Sequence, residues 1–231
     1  VAASAEVRKT IPALAELAGG IADRMVRNMG TIGGSIANAD PAACYPAGIV
    51  GLGATIKTNQ RSIAGDSFFT GLYETALQPG ELIVSVSFPI AQKAAYQKFE
   101  QPASRFALVG VFVAQTDAGV RVAVTGASSC VFRHAGLEAA LNQSFTPQAA
   151  AGVVAAFDLG DEHEGAVILV ALQCLGAERD AGGREERGDF AGHARKCRRS
   201  EGRIGKGKTR KRETAQEIAL RGRAGRAELR G

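Results

Sequence analysis

The sequence predicts an α+β fold, with helices and antiparallel strands in separate stretches of chain. Three observations predict it. Apolar residues recur at helical spacing near the N-terminus, the segment ELIVSVSFP (81–89) alternates strongly, and residues 95–131 hold three alternating runs with a tight turn between the last two.

Taken in order, residues 4–24 are read as a helix. Val7, Ile11, Leu14, Leu17 and Ala18 share one face, Ser4 suits the start, and Glu6 and Glu16 suit a solvated side. Gly19-Gly20 interrupts it. Residues 30–46, GTIGGSIANADPAACYP, are read as a glycine-rich loop and its exit. Residues 46–53 suit a short helix of small side chains. Residues 54–58 alternate as a strand, with turn residues at 59–61. Phe68, Phe69 and Leu72 form an apolar cluster before the turn Gln78-Pro79-Gly80. The strand 81–89 ends at Pro89, which cannot donate to a ladder.

A three-stranded antiparallel sheet is then expected from strands 95–99, 106–116 and 120–127, with Asp117-Ala118-Gly119 as the hairpin turn. Residues 135–141 are a short helix. Thr146 as cap and Pro147 at the first helical position open another, through Ala156.

Composition excludes several functions. No run of 18 apolar residues exists, so no membrane-spanning helix is expected. The first residues lack the basic-then-apolar pattern of a secretory signal, and a cytoplasmic location is expected. Cys44, Cys130, Cys174 and Cys197 form no C-x-x-C pair and have no ligand-like spacing with a histidine, which leaves zinc and iron–sulfur roles unsupported. The net charge of +5 is unevenly placed: residues 171–231 hold 17 Lys+Arg and 9 Asp+Glu, leaving 11 and 14 in residues 1–170. The basic character belongs to the C-terminal stretch, which argues against a nucleic-acid-binding protein as a whole. After about Leu159 the apolar periodicity fades into Arg, Gly, Glu and Ala.

The loop at 30–46 carries the chemistry. Gly33-Gly34 would let phosphate oxygens approach the backbone, and successive amides there could form an anion-binding nest. Thr31 and Ser35 add hydroxyls; Asn38 and Asp40 can bond sugar hydroxyls or close the loop on itself. By spacing alone a plain glycine-rich turn is the competing reading. Neither the dinucleotide G-x-G-x-x-G nor the nucleotide-binding P-loop pattern is met.

A resemblance adds to this. R-N-x-G-T-I-G-G-S followed by A-D-P-A-A resembles the second FAD motif of the xanthine dehydrogenase and carbon monoxide dehydrogenase flavoprotein family. The likeness continues in FFTGLYETALQPGELIVSVSFP (68–89), YQKFEQPASRFALVGVFVA (96–114) and RVAVTGA (121–127), and weakly to Arg133 and the helix at 137–141. It covers roughly residues 1–160, with several separate motifs in the family's order. It implies an FAD-binding medium subunit of a molybdenum hydroxylase. The implied fold is the second FAD subdomain of the vanillyl-alcohol-oxidase-like flavoprotein fold over residues 1–92, then a small domain over 93–160. Residues 161–231 are left as a basic low-complexity tail.

Carried over residue by residue, the resemblance implies that Thr31, Ile32, Gly33, Gly34 and Ser35 wrap the FAD pyrophosphate. Asn38 and Cys44 would face the ribityl and phosphate region. Asp40 would bond a sugar hydroxyl or cap the loop. Ile83 would pack on the cofactor, Lys98 would lie near the isoalloxazine ring, and residues 101–106 would border the flavin. Implied partners are a molybdenum-cofactor large subunit and a [2Fe–2S] small subunit, in a dimer of heterotrimers, with NAD or another electron acceptor.

Three departures from the family's pattern stand out. Cys44 replaces an acidic residue common there. The N-terminal A-G-G-x-S-like motif has no counterpart, so the chain is expected to begin near the second FAD subdomain. After Asp161-Glu162-His163-Glu164-Gly165 the likeness stops, and the remainder resembles a high-GC gene read in a shifted frame. Two other functional readings stand beside the leading one: a non-catalytic remnant that binds no flavin, and a nucleic-acid-binding basic tail at 195–212. The second lacks aromatic residues for base stacking.

Overall fold

The computed structural model describes residues 1–156 together with 170, 171, 174–176, 179 and 180. The described residues all belong to one compact unit, Val1–Gly188, and residues 189–231 lie outside them. The stretch read as a basic tail falls almost entirely outside them too. Within it, however, Val170, Ala171, Cys174 and Leu175 are buried in a hydrophobic core.

The helix expected over 4–24 is two helices, with a third starting at its last residue. α1 (Ala5–Thr10) and α2 (Pro12–Gly19) are separated by Ile11, whose φ of −139° and ψ of 69° are not helical. Pro12 explains the break: its ring excludes the residue before it from the helical region, and it has no amide hydrogen to donate. α3 (Arg24–Met29) starts again at Asp23, which accepts from the Val26 amide at 2.9 Å. α4 (Ile32–Asn38) and α5 (Cys44–Leu52) follow.

Two antiparallel sheets lie beyond. In the first, β1 (Thr55–Thr58) is the middle strand between β2 (Ser62–Ala64) and β5 (Ile83–Ser87). β3 (Phe69–Gly71) and β4 (Glu74–Thr75) make a separate small hairpin. The second sheet is built on the expected meander: β6 (Lys93–Glu100), β7 (Ala107–Thr116) and β8 (Gly119–Thr125). It has five strands, not three. The edge strands β9 (Phe132–Arg133) and β10 (Arg179–Asp180) add two residues each, too short to leave a periodic signal. Helices α6 (Ala135–Gln143) and α7 (Pro147–Ala156) follow the meander.

β7 is apolar almost throughout because both its faces are covered. Val109, Val111 and Val113 join Leu137 and Leu141 of α6 on one side. Phe112 and Ala114 join Leu14, Leu17, Ala47 and Val50 on the other. A third core, around Ile36, Ile49, Ile56 and Phe68, lies under the first sheet. α5 is central to this packing, buried along its length apart from Tyr45. It approaches β7 so closely that a Cβ at Gly51 would lie 2.6 Å from Phe112 Cδ1. Only glycine leaves room for that ring.

Polar ties complete the frame. Arg121 donates to the Val50 carbonyl at 3.1 and 2.7 Å and pairs with Asp66, just before β3. Asp66 also faces Arg133 at 3.6 Å, and Arg133 pairs with Glu138 of α6 at 2.7 Å.

Candidate functional site

The segment 30–46, expected as a loop, contains helix α4 and the first residues of α5. Thr31 is the reason α4 can start: its hydroxyl oxygen accepts from the Gly34 amide at 3.0 Å. Gly33 and Gly34 therefore sit in the first helical turn. Neither has a positive φ, so they form no alternating αR–αL nest, and that expectation is corrected. Pro46 lies inside the first turn of α5, where a missing amide hydrogen costs nothing.

The turn between α4 and α5 is fixed from below by the second sheet. The Thr125 hydroxyl, fully buried, shares its proton between the carbonyls of Pro41 at 2.6 Å and Ala43 at 2.9 Å. The Gly126 amide also donates to Pro41, at 2.7 Å, and the Ala107 amide to Ala42, at 3.3 Å. Asp40 caps the turn itself, accepting from the Ala42 amide at 2.9 Å.

Above this turn lies a cleft of about 1500 Å³. Its walls come from residues 1–3 and Arg8 of α1, from α2, from α3, from α4 and its flanks, and from residues 104–106. Of the site residues named from sequence, the cleft gathers Thr31, Ile32, Gly34, Ser35, Asn38, Asp40 and Cys44. Three lie outside its lining. Gly33 turns toward Ile83, whose Cγ2 would be 3.9 Å from a Cβ at that position. Ile83 belongs to the core under the first sheet. Lys98 spends its ammonium on backbone carbonyls, those of Gly20 at 2.8 Å and Arg105 at 2.5 Å.

The charge lining the cleft is mainly positive: Arg8, Arg24, Arg27 and Arg105 against Glu16 and Asp40. Arg27 braces the wall, donating to the carbonyls of Ile21 at 2.7 Å and Ala22 at 2.9 Å. These arginines were not recognised in the sequence. They are scattered over a hundred residues, and only folding brings them to one cavity.

Backbone strain gathers here as well. Ala22, Ala39 and Arg105 have φ of 41°, 48° and 60°; two line the cleft and Ala39 lies between lining residues. Such conformations cost about 1–3 kcal/mol each and cluster where function over-determines the chain.

At the edge of the cleft, burial pushes the Cys44 thiol above its ordinary value, against a smaller lowering by Tyr96 and Lys98. Cys44 is therefore a neutral thiol at neutral pH. Burial likewise raises Tyr96 well above the usual phenol range. The Tyr96 hydroxyl beside it has no partner at hydrogen-bonding geometry. Among the described residues no cluster of His, Cys, Asp and Glu could hold a metal ion, and no helix is long and apolar enough to cross a membrane.

The cleft is large, carries a surplus of positive side chains, and is walled by small and apolar side chains and rimmed by hydroxyls and amides, a lining that suits an elongated anionic organic molecule. Comparison with known proteins narrows this. Residues 1–91 match the family described as the FAD binding domain in molybdopterin dehydrogenase. The glyceraldehyde dehydrogenase medium chain of Sulfolobus acidocaldarius is 37% identical over 114 residues, which cover 47% of this chain and 41% of that one. The carbon monoxide dehydrogenase medium chain of Hydrogenophaga pseudoflava is 33% identical over 156 residues, covering 62% and 54%. A solved structure of carbon monoxide dehydrogenase from the same organism, lacking the Mo-pyranopterin moiety, superposes with a TM-score of 0.64 at 30% identity. That match covers 75% of this chain and 69% of the other.

The chain belongs to the family of FAD-binding medium subunits of the molybdenum hydroxylases. Its relatives are oxidoreductase subunits. The chain spans about half the length of the curated relatives it matches.

Proposed function

We propose that this chain is the FAD-holding part of a molybdenum hydroxylase, passing electrons from [2Fe–2S] clusters through flavin to NAD or another acceptor. The observation that carries the reading is the cleft, where seven residues named from the family's motif meet a surplus of arginines. The residues present fit the cofactor. Positive charge suits a pyrophosphate, and the cavity has room for an extended dinucleotide. Small residues at Gly34, Ser35 and Ala42 leave the walls open to a ligand backbone.

In this reading Thr31, Ser35 and Asn38 contact the phosphate and ribityl portions, and Ile32 supplies an apolar wall. Asp40 shapes the turn, and the neutral Cys44 thiol offers a weak donor where an acidic residue would offer only acceptors. Flavin, when bound, supplies the exchange between one-electron and two-electron transfer; the protein places and screens it. The reading divides the chain into a partial FAD-binding domain at 1–92, a C-terminal α+β domain at 93–160 and the basic stretch 161–231. It also carries the partners implied by the family, a molybdenum large subunit and a [2Fe–2S] small subunit, and a cytoplasmic location.

The test is reconstitution. Purified protein incubated with FAD and passed through a desalting column should retain flavin, seen by its visible absorbance. An Arg27→Ala variant should retain less. Protein that emerges colourless at saturating FAD would sink the reading for this chain.

A further inference from the structure

We propose that Lys98 is a positioning residue, a clasp that joins two walls of the cleft and holds the 101–106 loop at its mouth. The Lys98 side chain is only 9% exposed. An ammonium has three protons to donate. Two go to the carbonyls of Gly20 and Arg105, 2.8 and 2.5 Å away, and the Glu100 carboxylate stands at 3.5 Å. Gly20 ends α2, where a carbonyl lacks a helical partner and a cation is favoured by the helix dipole. Gly19 and Ile21, on either side of it, line the cleft, as does Arg105. One lysine thus spans 78 residues of sequence to tie one wall to another.

The loop that it holds is a closed turn. Gln101 Oε1 accepts from the amides of Ala103 at 2.6 Å and Ser104 at 2.9 Å. The Arg105 amide donates to the Gln101 carbonyl at 2.8 Å, and the Gln101 amide to the Phe106 carbonyl at 2.9 Å. These bonds survive without Lys98. Removing it unmoors an intact turn from α2 instead of melting it. Arg105, with a φ of 60°, is then free to leave the left-handed region in which it is held.

The consequence for a ligand rests on the flavin reading above: Lys98 sets access to the flavin without touching it. The consequence for the protein alone does not rest on it. The experiment treats the full chain without ligand with trypsin and follows the products by mass spectrometry. In Lys98→Met, cleavage after Arg105 should quicken roughly tenfold or more, the equivalent of one lost charge-assisted hydrogen bond. Cleavage after Lys57 in the first sheet should not change, and Lys98→Arg should restore most of the protection. Unchanged cleavage after Arg105 overturns the clasp.

Should Lys98→Met be cut at every site because it unfolds, Glu100→Gln provides the milder test. It should quicken cleavage at Arg105 alone by about threefold, as expected for losing one half-exposed ion-pair partner. No change there overturns the proposal equally. With FAD bound, iodide should quench flavin fluorescence more strongly in Lys98→Met than in the parent chain, and equal quenching refutes control of access. A parent chain that binds no FAD sinks the flavin reading and leaves the protease result standing.

Discussion

Glu81 and Tyr96 are both buried polar side chains, exposed by only 5% and 7%, and the fold treats them oppositely. Glu81 sits behind the first sheet and is fully satisfied. It accepts from the Thr58 hydroxyl at 2.7 Å, from Arg61 at 3.0 and 3.2 Å, and from the Gln78 amide at 2.8 Å. Tyr96 lies beside Cys44 at the edge of the cleft, and among the described residues its hydroxyl has no partner at full hydrogen-bonding geometry, only a weak contact with the Cys44 thiol. Thr125 stands between the two cases: it is fully buried and bonded to the two carbonyls that carry the floor of the cleft. Where a polar group holds chain together, as Glu81 and Thr125 do, the structure completes its bonding; Tyr96, which ties no segments, is left with only the weak thiol of Cys44, at part of the desolvation cost of a buried polar group.

Glu81→Ala tests the satisfied end and should give the largest loss of thermal stability in the set, because the Gln78 amide loses its acceptor, Arg61 loses its ion-pair partner and keeps only the Ala76 carbonyl, and Thr58 keeps only the Arg61 carbonyl. A melting temperature near that of the parent would break the comparison. Its pH dependence follows from the same contacts. Arg61 foremost, then the Gln78 amide and the Thr58 hydroxyl, hold the folded carboxyl down to about 2, against an ordinary 4.5. Between those values the unfolded chain binds a proton that the folded chain refuses. The contribution is therefore complete above about 4.5 and is lost as pH falls toward 2. In Glu81→Gln the difference from the parent should shrink across that window in acid-unfolding titrations.

Thr125→Val should cost about 1 kcal/mol in urea unfolding, since the half-buried Ala43 carbonyl loses its donor. The same variant should hold FAD less tightly if the floor shapes the cleft. Tyr96→Phe should shift stability the other way, by about 1 kcal/mol, because it deletes a buried hydroxyl that has only a weak contact with the Cys44 thiol and leaves the ring packing intact. A loss instead would show that the hydroxyl is bonded in solution. Arg105→Gly should give the smallest effect, a gain of about 0.5 kcal/mol from relieving the left-handed backbone, measured by the same unfolding curves.

How far the sequence announced this structure differs by region. The meander 95–127 was legible almost to the residue, because period-2 alternation over long strands leaves a strong pattern. The break at Pro12 was missed, since apolar spacing runs straight through it; the proline was the available signal. The segment 30–46 was read as loop because six of its residues are Gly or Pro or Asp, all poor helix formers. Burial of Ile36 and the Thr31 cap override those propensities. Among the site residues, those within 31–44 were visible as a run. The cleft arginines and the true contacts of Lys98 were not, because each depends on chain far away in sequence.

The bonds from Thr125, Gly126 and Ala107 to residues 41–43 make the glycine-rich segment and the distant sheet a single thermodynamic unit. A fragment ending at residue 92 would keep every motif residue up to Ile83 and lose the support beneath them. Ligand held in the cleft would in turn protect amides of β7 and β8 from exchange. For this protein the smallest heritable binding module is therefore longer than its motif: recombination that separates the two halves takes away the support under residues 41–43 together with the lining residues 104–106.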